Sequence, residues 1–219
     1  FTPACVPGAY DAWLTTLEEY GSMGLDRILD PAIRIASKGF PMFPTLAEFL
    51  EKLEHRFSTE WPTTSKVYLP EGRAPVVGEI INNPDWARTF KEIRKEYVEA
   101  AKTSREAGFD AARKYFYDGP VAEKMIDFMQ SFKCRDVYGK ENHGLLSRDD
   151  LRGYRARFEE SVHVDYMGLD VHKCDTWTQG PVLLQQLRIL ENYDLESLGH
   201  NTTEYIHTLM EAAKLAFAD

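Results

Sequence analysis

Two histidines and a thiol stand close together in one stretch of the chain: His163, His172 and Cys174. Around them, Val162, Val164 and Tyr166 alternate with polar residues, Met167-Gly168 reads as a tight turn, and residues 169–174 read as the returning strand. A two-residue loop pairs Tyr166 with Leu169, Val164 with Val171 and His163 with His172. Ser161 then opposes Cys174 on the histidine face. Two imidazoles and a thiol on one face could hold a metal ion. The plainer reading is a solvated polar face on a half-buried hairpin. It is preferred, because Met-Gly is a poor pair for a two-residue turn, and no metal site is expected.

The segment Cys174-Asp-Thr-Trp-Thr-Gln-Gly-Pro181 joins this hairpin to a helix. A loop that opens a helix can aim backbone N–H groups at an anion, and the helix dipole favours negative charge there. Thr178, Gln179 and Gly180 are therefore the candidate substrate-binding residues. The competing reading is an ordinary strand-to-helix turn with Pro181 in its first turn. Asn201-Thr202-Thr203 matches a glycosylation acceptor, but the periodic run behind it favours Asn201 as a helix N-cap. Cys134 lies between Lys133 and Arg135, which could lower a thiol pKa; an incidental cysteine is the simpler reading. Thr2 follows Phe1, so nothing marks it as a processed nucleophile. No serine elbow, phosphate loop, dinucleotide fingerprint or HExxH occurs, and no catalytic residue is assigned.

The elements that must position these groups are mostly helical. Apolar residues recur at helical spacing over residues 8–20, 25–37, 45–57, 84–101, 109–117 and 120–132. Gly21 and Gly39 end the first two. Pro31 is expected to kink the second or to start a new turn in it. Thr45 is the expected N-cap of the third. Residues 58–78, punctuated by Pro62, Pro70, Gly72, Pro75 and Gly78, read as a loop with at most a short strand at 66–69. The polar stretch 102–108 separates two helices, and 91–105 reads as a solvated face. Residues 146–154 form a short helix capped by Ser147, with Asp150 in its first turn. Helices at 181–192 and 201–217 close the chain. So few strands suggest a helix-rich layer packed on a sheet that lies mostly elsewhere.

The chain has 219 residues, with 26 basic against 35 acidic side chains and a net charge of −9. That balance disfavours nucleic acid, because binding phosphates needs a surplus of Lys and Arg. The longest wholly apolar runs, such as 181–184, fall far short of the roughly 20 residues that span a membrane. Three cysteines at wide spacing make neither a disulfide framework nor a zinc motif, which suits a reducing, cytoplasmic setting. No signal peptide is recognisable at residue 1.

Several stretches together carry a resemblance. Val6-Pro-Gly-Ala-Tyr-Asp-Ala-Trp13, Tyr20-Gly21, Pro31-Ala32-Ile33-Arg34 and Gly39-Phe40 come first. Asp149-Asp150-Leu151 to Tyr154, Asp165-Tyr166-Met167-Gly168, Gly180-Pro181-Val182 and Ile189-Leu190-Glu191 follow. Gly199-His200-Asn201, Glu211-Ala212 and Lys214-Leu215-Ala216-Phe217-Ala218-Asp219 close the set and are the most specific. In this order they resemble the gamma-glutamyltranspeptidase family.

The resemblance implies an α/β (α+β) fold: a helix-rich segment of an αββα N-terminal-nucleophile hydrolase sandwich, with a β-hairpin at 161–174. It implies that residues 1–219 are a partial large-subunit segment of a single domain. The partner is a small subunit that begins with a nucleophilic Thr after the precursor cuts itself. The substrate is a small-molecule amide, gamma-glutamyl or related, and no cofactor, nucleic acid or membrane is involved. The family's nucleophile falls after Asp219 and its carboxylate-gripping arginine before Phe1, so this chain alone is expected to be inactive. Where many members carry Pro-Pro-Pro-Ser-Ser-Gly-Gly, this chain has residues 174–181, and its connection around 99–116 is longer. Both fit an amidohydrolase-like branch as well as a transpeptidase. The alternative is a non-catalytic helical interaction module or an inactive homologue.

Overall fold

The computed structural model describes residues 4–136 and 138–219. They divide into two compact units, Phe1–Ala156 and Arg157–Asp219.

The first unit opens with α1 (Ala9–Tyr20) and α2 (Leu25–Lys38). Gly39 ends α2 at φ 85°, a conformation in which its missing Cβ matters. The expected break at Pro31 does not occur: α2 runs through it without interruption. Pro31 and Arg27 both lie on the exposed face. The Arg27 carbonyl, which loses its partner to the proline, can therefore turn to water, and the buried face of Leu25, Leu29 and Ile33 is undisturbed.

Next come β1 (Phe40–Pro41), α3 (Pro44–Glu60), α4 (Pro62–Tyr68) and β2 (Ile80–Ile81), which pairs antiparallel with β1. Two expectations fail here. Thr45 is not a cap: Phe43 holds that place, and Pro44 occupies the first turn, where its lack of an N–H costs nothing. Residues 62–68 are helix, not loop or strand, because Pro62 starts a turn in the same way. Trp61 ends α3 and precedes α4, its ring 5.3 Å from Phe57 and under the Arg56 guanidinium at 4.6 Å. Met42, Leu50, Phe57, Leu69 and Ile81 form the core of this part.

The unit continues with α5 (Pro84–Ala100), α6 (Arg105–Tyr117) and α7 (Pro120–Ser131). α6 starts four residues before the expected 109, because the Ser104 hydroxyl accepts the Ala107 N–H at 3.1 Å and caps it. A short pair, β3 (Cys134–Arg135) with β4 (Glu141–Asn142), leads to α8 (Arg148–Gly153). The expected cap is present as a complete capping box: Ser147 takes the Asp150 N–H and Asp150 takes the Ser147 N–H. The main core gathers Leu14, Leu25, Leu29, Ile33, Ile93, Phe109, Phe116 and Tyr117 from α1, α2, α5 and α6.

The second unit is the hairpin of β5 (Val162–Tyr166) and β6 (Leu169–Lys173), followed by α9 (Gly180–Leu190) and α10 (Thr203–Ala218). α9 packs on both α10 and the hairpin, and Leu184, Leu190, Ala212 and Ala216 are buried. Asn201 is not the cap of α10. Thr202 takes that role, accepting the Tyr205 N–H at 3.2 Å, while Asn201 turns the chain at φ 62°.

Strands among the described residues occur only as three antiparallel pairs. The architecture is helix-rich α+β. No helix of the described residues is long and apolar enough to cross a membrane.

Candidate functional site

The hairpin register is the expected one: Tyr166 faces Leu169, Val164 faces Val171 and His163 faces His172. Met167 at φ 53° and Gly168 at φ 80° have the signs of a type I′ turn. Met is therefore held in a conformation that costs an L-residue about 1–2 kcal/mol, a cost the register and the apolar Val162 and Val164 face offset. On the polar face the two imidazoles stack at 5.0 Å between centroids. His172 Nδ1 lies 2.8 Å from Ser161 Oγ, and its Nε2 lies 3.0 Å from Asp170 Oδ2. Among the described residues, no group of three or more His, Cys, Asp and Glu is arranged to hold a metal ion. Cys5, Cys134 and Cys174 are all free thiols.

The loop that follows closes on itself. Thr178 Oγ1 donates to the Cys174 and Asp175 carbonyls at 3.1 and 3.0 Å and accepts the Gly180 N–H at 3.0 Å. The Gly180 amide is thus satisfied within the loop. Gly180 is buried, and a Cβ there would stand 2.0 Å from the Cys174 carbonyl oxygen, so only glycine fits. Gln179 caps α9 with no side-chain bond and faces solvent. Of the three sequence candidates, then, Thr178 shapes the loop, Gly180 permits it, and Gln179 presents a free amide.

The loop borders a hollow of about 650 Å³. Val162 and Val164 form one wall, Pro181, Leu184 and Ile189 of α9 another, and Leu215 of α10 a third. Asp175, Thr176 and Arg188 supply its polar edge, and Gln185 Nε2 reaches Asp219 Oδ2 at 2.6 Å. Thr178, Gln179 and Gly180 stand beside this hollow and not in its lining. The arrangement offers an apolar trough with a few hydrogen-bonding groups, and no nucleophile–base pair.

The most elaborate polar construction lies in the first unit and was missed in the sequence. Asp11 has no exposed surface and Arg113 is 8 % exposed. Arg113 Nε meets Asp11 Oδ1 at 2.7 Å, and its Nη2 meets Glu18 Oε2 at 2.6 Å and Thr15 Oγ1 at 3.3 Å. The other Asp11 oxygen accepts the Ala156 N–H at 2.7 Å. The Asp11 N–H donates to the Tyr117 hydroxyl, which donates in turn to the Pro7 carbonyl. Burial works against the Arg113 charge, but the bonds to Glu18 and Asp11 outweigh it and raise its pKa. Burial also pushes the Tyr117 phenol up to about 12. The signal was available: Asp11 and Glu18 share the face of buried Leu14 on α1 (i−3, i+4), and Arg113 falls on the stripe of Phe109, Ala112, Phe116 and Tyr117. A charge at a core position needs a partner.

This network ties the Pro7–Asp11 segment, part of the resemblance, to α6 and to the segment after α8 at Ala156. The gamma-glutamyltranspeptidase family profile matches residues 1–219. The chain belongs to the gamma-glutamyltranspeptidase family. Within the family it is 32% identical over 215 residues to the glutathione hydrolase-like YwrD proenzyme of Bacillus subtilis (strain 168), covering 98% of this chain and 36% of that protein. It is 30% identical to the acylase ACY 1 proenzyme of Pseudomonas sp. (strain SE83), covering 98% and 34%. The solved structure of LmbA2991T421A superposes with a TM-score of 0.92 at 36% identity, over the whole of this chain and 36% of that one. The chain thus spans about a third of the length of the curated relatives it matches.

Proposed function

We propose that this chain is part of the large subunit of an amidohydrolase or acyltransferase that acts on gamma-glutamyl or related amide bonds. The whole-chain family match is the observation that carries this reading. Both relatives described above are proenzymes, which supports a precursor processed into two chains. The nucleophile is then a Thr at the start of a companion polypeptide. Its Oγ attacks the amide carbonyl carbon, the amine leaves with a proton, and an acyl ester forms. Water or a second amine takes the acyl group and returns the proton to Oγ. This chain supplies scaffold and one wall of the substrate cleft, with Thr178, Gln179 and Gly180 at the wall's edge.

Intact-mass analysis and N-terminal sequencing of the native protein test the processing. A companion that begins with Thr is expected; a protein with no such companion overturns the enzyme reading. Amine release from gamma-glutamyl-p-nitroanilide tests the substrate class. The acylase relative at 30% identity supports a second reading, in which the acyl group is other than gamma-glutamyl. Faster turnover of the glutaryl amide than of its gamma-glutamyl counterpart would select it.

A further inference from the structure

We propose that the first unit carries a site for a small oxyanion, a carboxylate or phosphate group, gripped by Lys114 and Arg155. A hollow of about 410 Å³ lies where the end of α6 meets the segment after α8. Arg113, Lys114, Arg152 and Arg155 line it, against the carboxylates of Asp110 and Asp118. Such a gathering of cations stands out in a chain of net charge −9.

The partners of each cation decide which charges remain for a ligand. Arg113 forms the inner wall and is answered from beneath by Asp11 and Glu18; its Nη1 meets only Asp110, at 3.5 Å. Asp118 is shared loosely between Arg152 at 3.6 Å and Arg148 at 3.9 Å. Arg155 donates to the Tyr154 carbonyl at 2.7 Å and has no carboxylate partner among the described residues. The Lys114 ammonium has no hydrogen bond or ion pair with any described residue, although Asp110 and Asp118 flank it at i−4 and i+4. The Arg155 charge also acts on the Tyr117 hydroxyl of the inner wall, opposing the rise that burial causes.

An ammonium and a guanidinium facing one hollow match a single oxyanion group: the planar fork binds two oxygens and the ammonium adds a point charge. The rim carboxylates, Asp110 and Asp118, repel an extended polyanion. They restrict the occupant to a small molecule with one anionic head.

The test is calorimetric titration of the full-length protein with inorganic phosphate and, separately, with acetate, at constant ionic strength set by sodium chloride. Saturable binding of at least one is expected, weakened about tenfold or more in Lys114→Gln/Arg155→Gln, since each charge-assisted bond lost costs a sizeable part of the affinity. Tighter phosphate binding identifies a phosphoryl ligand, and tighter acetate binding a carboxylate. Both side chains are exposed, so the ligand-free melting temperature should stay unchanged, which separates loss of the site from loss of the fold. Arg88→Gln, remote in the chain and already paired with Asp85, should bind like the parent. No saturable heat with either anion, or equal affinity in the double variant, overturns the proposal. The readout is binding, so this result is independent of whether the amidohydrolase reading holds.

Discussion

Replacing Arg113 with Met tests the buried network most directly. Met keeps much of the side-chain volume and removes the charge. Asp11 Oδ1 then loses its partner at 2.7 Å, while Oδ2 keeps the Ala156 N–H. The carboxylate has no exposed surface through which water could replace the guanidinium. Breaking a buried pair in this way costs about 3–5 kcal/mol. Glu18, whose side chain is 20% exposed, can turn toward solvent and adds less than about 1 kcal/mol. The loss is at least about a fifth of the roughly 5–15 kcal/mol that holds a typical domain. Asp11→Leu should cost less, because Arg113 keeps Glu18. The double variant should be more stable than the sum of the singles predicts, by about 1–3 kcal/mol. Urea unfolding at unchanged m-value measures all three. A cost below about 1 kcal/mol for Arg113→Met, or strict additivity, would refute the claim that this pair is desolvated and coupled.

Three further outcomes are expected. The raised Tyr117 pKa means the folded state holds the neutral phenol, so its contribution is whole below pH 10 and fades as pH rises from 10 toward about 12. Tyr117→Phe should flatten that decline in pH-dependent melting, and at neutral pH it should cost about 1–3 kcal/mol because the Asp11 N–H and Pro7 carbonyl lose their partner; an unaltered alkaline slope would contradict this. Gly180→Ala should destabilise by about 1–3 kcal/mol or displace the loop, given the 2.0 Å approach to the Cys174 carbonyl; a neutral change in melting temperature would show that the loop yields freely. Met167→Asn, which suits φ 53° better, should stabilise by about 0.5–1 kcal/mol, and a lower melting temperature would count against the turn assignment.

The helices and the hairpin were legible because their cause is local. Period 3.6 marks the faces of α1, α2, α5 and α7, and period 2 marks the hairpin strands, whose register at Met167-Gly168 the structure bears out although Met-Gly is a poor turn pair. Ser147 with Asp150 reads as a cap from spacing alone. The failures were local ambiguities resolved by context. Pro31, Pro44 and Pro62 look alike as residues, yet one sits inside a helix and two begin one, and only the fate of the carbonyl four residues back distinguishes them. The same holds for Asn201 and Thr202, either of which could cap α10.

The sequence alone determined most of the helices, the turn at Met167-Gly168, the acidic balance and, through ordered motifs, the family. Tertiary structure decided which charges are buried and with whom. Asp11 and Arg113 are separated by about a hundred residues, and no spacing rule brings them together. Packing of α1 against α6 excludes water from both, and a carboxylate without water must have its guanidinium. By the same physics, Lys114 and Arg155, which remain in water, are free to serve a ligand.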